Sequence, residues 1–142
     1  MYSLDSIKDL FKNIRFSDLE IKSLISLKAK MEESALNLNS NISEKVSGSK
    51  NSEGVYGIVD GYVDLEKIIS DKSKSLFENK RKALDIVKCL DNPVHRIVLI
   101  ERYLNSQSWK CVSILISRSE KYVRTKLHSE ALRACEKLKI SR

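Results

Sequence analysis

With 142 residues, 42% hydrophobic and 32% charged, the chain suits one domain, or a small domain with a helical extension, and can bury a core without disulfides or metal. Four Gly and one Pro among many Leu, Ile, Lys, Glu and Ser point to an all-α protein. The three cysteines, Cys89, Cys111 and Cys135, stand at least 22 residues apart without a CxxC or Cys/His pair, which argues against a zinc site and for reduced, partly buried thiols.

No apolar run approaches membrane-spanning length and no export signal opens the chain, so a cytoplasmic protein with no membrane partner is expected. The net charge of +7 is unevenly placed. Residues 93–142 hold eleven Lys/Arg against four Asp/Glu, the whole excess, while residues 1–61 hold eight against nine. A surplus confined to the last third points to a polyanion-binding module there.

In chain order, residues 3–15 predict a short amphipathic helix with Leu4, Ile7, Leu10, Phe11 and Ile14 on one side. Ser17 and Glu20 form a capping box, which starts a second helix near Asp18. That helix runs to about Leu38, presenting Ile21, Leu24, Ile25, Met31, Ala35 and Leu38. From Asn39 to about residue 60 the Ser, Asn and Gly content predicts a long polar loop. A long helix then begins near Tyr62, with Tyr62, Ile69, Leu76, Ala83 and Leu90 recurring every seven residues. The companion positions are Leu65, Lys72, Asn79 and Ile86, two of them polar. This pattern predicts a helical hairpin or coiled-coil-like segment over residues 1–90, with capacity for self-association.

Asn92-Pro93 is a helix start, because Asn caps and the missing Pro N–H costs nothing at the first helical position. The helix from 93 to about 104 is expected to bury Val94, Ile97, Val98, Ile100 and Leu104, before Asn105-Ser106-Gln107 breaks it. Ser108 can cap a helix carrying Trp109, Val112 and Leu115, and Ser119 a second carrying Val123, Leu127 and Ala131. Two short helices joined by three or four residues outline a helix-turn-helix, placed here in a domain spanning 91–142. At 100° per residue, Lys121, Thr125, His128 and Ser129 lie opposite the buried stripe, flanked by Tyr122 and Arg124.

The expected partner is therefore double-stranded DNA. Lys121, Tyr122, Arg124 and Thr125 are the candidate base readers. Lys110, Arg118, Ser119, Lys126 and His128 are the candidate phosphate contacts. Trp109 reads as a core anchor, Cys111 as packed beside it, His95 as solvent-facing, and Tyr103 as packed between helical units. No glycine-rich phosphate loop, HExxH or GxSxG is present, so no enzyme, cofactor or catalytic residue is expected.

The stretch "RYLNSQSWKCVSILISRSEKYVRTKLHSEAL" resembles the sigma-factor region-four-like segment of ArpU-type transcriptional regulators from temperate phages of Gram-positive bacteria. The resemblance rests on Arg102-Tyr103, Ser108-Trp109, Val112, Ser119, Val123, His128 and Ala131-Leu132, and more loosely on the upstream "KVSGSKNSEGVYGIVDGYVDLEKII". Lys110-Cys111 departs from the acidic pair usual there, and the spacing from Val123 to His128 is one residue longer. The resemblance implies sequence-specific control of late phage genes in the bacterial host's cytoplasm. A homodimer or larger homo-oligomer would read paired half-sites, with host RNA polymerase as a further partner. Two rivals remain: a packaging protein similar to the small terminase subunit, and a sigma-like module that binds polymerase without DNA.

Overall fold

The computed structural model describes residues 3–44 and 51–140, with side chains described for 3–37 and 61–138. Every element among the described residues is helical, as expected. α1 spans Leu4–Glu44 and α2 spans Asn51–Val87. α3 covers Pro93–Leu99 and runs on as a wider π-helical turn at Ile100–Leu104. α4 is Trp109–Ile116. α5 begins as Glu120–Tyr122, passes through a second π turn at Val123–Leu127 and continues as His128–Ile140.

Two expectations about the first half change. Residues 4–38 belong to one helix, not two, because a capping box ends nothing unless a breaker precedes it, and residues 4–44 contain neither Gly nor Pro. Most of the expected loop is also helical, with 39–44 completing α1 and 51–61 opening α2. Ser and Asn cost a helix interior only tenths of a kcal/mol and Gly about 1 kcal/mol, so this composition weakens a helix without stopping it. The centre of that expected loop, 45–50, lies outside the described residues, as does the side chain of Leu38.

The chain divides into two compact units, Met1–Leu19 with Ser75–Arg142, and Glu20–Lys74. The boundary expected near residue 90 thus falls inside the first unit.

In the Glu20–Lys74 unit the two helices run antiparallel. Lys28 pairs with Glu66 at 3.2 Å, the Tyr62 hydroxyl donates to Glu32 at 2.6 Å, and Lys72 pairs with Glu20. The polar heptad position at Lys72 is therefore an ion-pair position at the hairpin edge. Leu65 and Ile21 are buried, with Leu24, Met31, Ala35 and Ile69 half-buried. Ile25, expected on the same face, is 50% exposed. Four residues from Ile21 overshoot a whole turn by about 40°, whereas Leu24 falls on the other side of the contact.

In the other unit, Ile7, Phe11 and Ile14 of α1 are fully buried, together with Ala83, Val87 and Leu90 around the end of α2. Phe11 packs on Tyr103 of α3 with ring centroids 5.1 Å apart, and Arg15 donates to the Arg102 carbonyl at 3.1 Å. Val98, Val112, Val123 and Leu127 join α3, α4 and α5 in one cluster, flanked by Val94, Trp109 and Ile116. Val98, Leu99 and Tyr103 are the buried residues of α3, while Ile97 is 37% exposed. His95, expected to face solvent, retains 14% of its side-chain exposure and lies 3.6 Å from Glu130.

Candidate functional site

Local chemistry sets the ends of α3, α4 and α5. Asn92 Oδ1 accepts from the Val94 N–H at 2.9 Å ahead of Pro93. Ser108 Oγ accepts from the Cys111 N–H, and Ser119 Oγ from the Tyr122 N–H, each at 3.2 Å. These three caps satisfy N–H groups that a helix start otherwise leaves open. Three residues, 117–119, connect α4 to α5. Ser117 is left-handed at φ 56°, ψ 45°; its N–H reaches the Ile114 carbonyl at 3.3 Å, and the Arg118 N–H reaches the Ser113 carbonyl at 3.1 Å. That pair of bonds is a Schellman ending, normally built on Gly because a Cβ disfavours this backbone by about 1–2 kcal/mol. Ser117→Gly should therefore raise stability by up to about 1 kcal/mol after the entropy of Gly is subtracted. Equal or lower urea midpoints for the variant would contradict this.

The expected stripe holds for α5, whose Val123, Leu127 and Ala131 are all buried, but not for α4. In α4, Val112 and Ser113 are buried, Trp109 and Ile116 are half-buried, and Leu115 is 59% exposed. Six residues from Trp109 fall about 120° short of whole turns, whereas seven return to the same side, so Ile116 takes the place expected of Leu115. Cys111, expected to pack beside Trp109, is exposed.

In α5, Val123 is fully buried and Leu127 is 8% exposed. Lys121, Tyr122, Arg124, Thr125 and Lys126 all stand on the exposed side. Lys126 Nζ lies 5.5 Å from the centre of the Tyr122 ring. The Thr125 hydroxyl donates to the Lys121 carbonyl at 2.6 Å, leaving its methyl and its lone pairs outward. Lys110, Arg118 and Ser119 are also exposed, on α4 and the connection, with Glu120 the one carboxylate of this stretch. The structure thus presents eight of the nine expected site residues to solvent.

His128 is the exception. The π turn carries its N–H to the Val123 carbonyl, five residues back, so His128 stacks over Val123 and turns inward. A uniform 100° count cannot anticipate that shift. Its Nε2 shares a 2.5 Å hydrogen bond with the Tyr103 hydroxyl, and its ring meets Trp109 edge-on at 4.8 Å. Burial, then the charges of Arg102, Lys8 and Lys12, push its pKa down to about 4. His128 is accordingly a neutral packing residue and leaves the phosphate-contact set.

A folded-state value below the ordinary 6.5 means that the unfolded chain binds the proton more readily between the two. Stability from this site is complete above pH 6.5 and is lost as pH falls toward 4. Melting temperatures across that window should fall, and His128→Gln should flatten the fall. Parallel curves for the two proteins would refute this account.

Arg102 entered the sequence reading only as part of the resemblance, with no role of its own. Its guanidinium lies 4.3 Å from the Trp109 ring centre and donates to the Gln107 carbonyl at 3.2 Å, which Arg15 also reaches at 3.2 Å. Burial, then the neighbouring Arg15 charge, draws its pKa down. Arg15 lies 87 residues from Arg102, so no local pattern advertises the pair. Comparison of the chain with family models, with curated proteins and with solved structures finds no match.

Proposed function

We propose that the chain is a sequence-specific DNA-binding transcriptional regulator, acting on phage late genes in a bacterial host. In this reading α5 enters the major groove, and Lys121, Tyr122, Arg124 and Thr125 meet base edges. Lys110, Arg118, Ser119 and Lys126 hold phosphates. The observation that carries the reading is that Val123 and Leu127 anchor α5 to the core while its basic first turns stay exposed. The resemblance to ArpU-type regulators supports it. A homodimer or larger assembly supplies the second reading helix, since one alone rarely gives sufficient affinity. In this reading the protein acts by binding and not by catalysis.

The test is a mobility shift with prophage DNA fragments at two salt concentrations, with the mass of the free protein measured alongside. A complex on one fragment that survives higher salt is the expected result; no binding at low salt overturns it. A ring of eight or more copies would favour a packaging protein instead. One observation favours a second reading, a polymerase-contacting module: Ile114 and Leu115 on α4 are 68% and 59% exposed. Large apolar side chains adjacent on a surface helix suit a protein contact. Polymerase binding with no DNA shift would select that reading.

A further inference from the structure

Within the unit formed by Met1–Leu19 and Ser75–Arg142, a cavity of about 290 Å³ lies between α1 and α5. α1 contributes Lys8 and Lys12, one helical turn apart, and α5 contributes Arg133 and Ser129. Tyr103 and His128, hydrogen-bonded to each other, also line it, and Leu4 and Leu132 supply an apolar side. The lining therefore holds three formal positive charges and no carboxylate.

On the hairpin, Lys28, Lys72 and Lys80 each meet a carboxylate of α1 or α2. Among the described residues, no ion pair involves Lys8, Lys12 or Arg133. Like charges lining one cavity favour the entry of an anion. His128 already registers the field, since Lys8 and Lys12 both contribute to its lowered pKa. Ser129 gives its hydroxyl proton to the Thr125 carbonyl at 2.7 Å, so the cations are the available donors.

We propose that this cavity is a binding site for a phosphate-bearing ligand, its anionic group held by Lys8, Lys12 and Arg133 and its small apolar part resting on Leu4 and Leu132. A doubly charged oxyanion best matches three cations, and the Arg fork suits two phosphate oxygens at once. The volume lies at the small end of ligand sites. None of the three cations belongs to the face assigned to duplex DNA, so the inference does not rest on that assignment. The phosphate can come from a free phosphorylated molecule or from a nucleic-acid backbone.

The experiment uses the full chain at constant ionic strength, with chloride as the balancing anion. Inorganic phosphate, pyrophosphate and a short duplex of arbitrary sequence are titrated separately, and the His128 ring is followed by NMR. The groups acting on that ring are Lys8 and Lys12 from α1, Arg102 and Tyr103 from α3 and Trp109 from α4, with Arg133 of α5 lining the same cavity. Saturable His128 shifts are expected, with a rise of about one unit or more in its pKa as bound anion offsets the lysines. Lys8→Gln/Lys12→Gln/Arg133→Gln should abolish both effects. Lys8→Gln alone should weaken them, which keeps the test sharp if the triple variant folds poorly. Shifts with pyrophosphate identify a free phosphorylated ligand, and shifts with duplex alone identify a backbone phosphate. No saturable shift with any probe, or a shift that persists in the variants, overturns the proposal. Lys121→Ala should leave phosphate binding unchanged even if duplex recognition is lost.

Discussion

Phe11→Ala should lower the unfolding free energy by about 3–5 kcal/mol, the range for deleting a fully buried aromatic ring. Phe11 has no exposed surface and packs on Tyr103, a tilted aromatic contact worth about 0.5–1.5 kcal/mol beyond burial alone. Tyr103 in turn holds His128, which meets Trp109. The cavity left by Phe11 therefore opens at the root of the packing that supports α4 and α5. Urea unfolding followed by emission from Trp109, the one Trp of the chain, measures the effect directly. A loss under about 1 kcal/mol would mean that the start of α1 is dispensable, since buried-ring truncations do not come that cheaply. The same reasoning extends to truncation. Removing residues 1–60 discards Ile7, Phe11 and Ile14, all fully buried, and should leave the remainder without a cooperative transition.

The second large effect concerns salt. Each phosphate contact contributes about 0.9 to the slope of log affinity against log salt on B-form DNA, so Lys110→Ala/Arg118→Ala/Lys126→Ala should flatten that slope by about 2.7. Across a fourfold rise in salt, the parent should then lose about 40-fold more affinity than the variant. All three side chains are exposed, and folding should be little changed. Base readers should behave differently. Lys121→Ala with Thr125→Ala should erode discrimination between sites by about 1–3 kcal/mol per lost base contact, while affinity for random DNA changes less. Anisotropy titrations with specific and scrambled duplexes separate the two classes. An unchanged salt slope in the triple variant would remove those residues from the interface.

The parts of this fold legible in the sequence are those governed by neighbours. Asn92-Pro93, Ser108 and Ser119 cap helices where their side-chain oxygens say they should, because a cap needs only residues two or three positions away. The outward face of α5 was legible for the same reason over its first two turns. Beyond them the count failed at the π turn, where His128 moved from the solvent side to the core. Ser17 and Glu20 carry a start signal as local as the others, yet helix already surrounded them. The Phe11–Tyr103 contact and the Lys8–Lys12–Arg133 cavity join segments about ninety or more residues apart, and apolar periodicity carries no record of such partners.

The wide turn at Val123–Leu127 also makes the chain respond asymmetrically to changes in its own length. It stores one surplus residue, so deleting Arg124, Thr125 or Lys126 could be absorbed by relaxation to an ordinary α-helix. Ala131, Leu132 and Cys135 would keep facing inward, although one outward position would vanish. Adding a residue offers no such refuge: the downstream stripe would swing about 100° away from its partners. Variants shortened at this point should therefore fold, and lengthened ones should not.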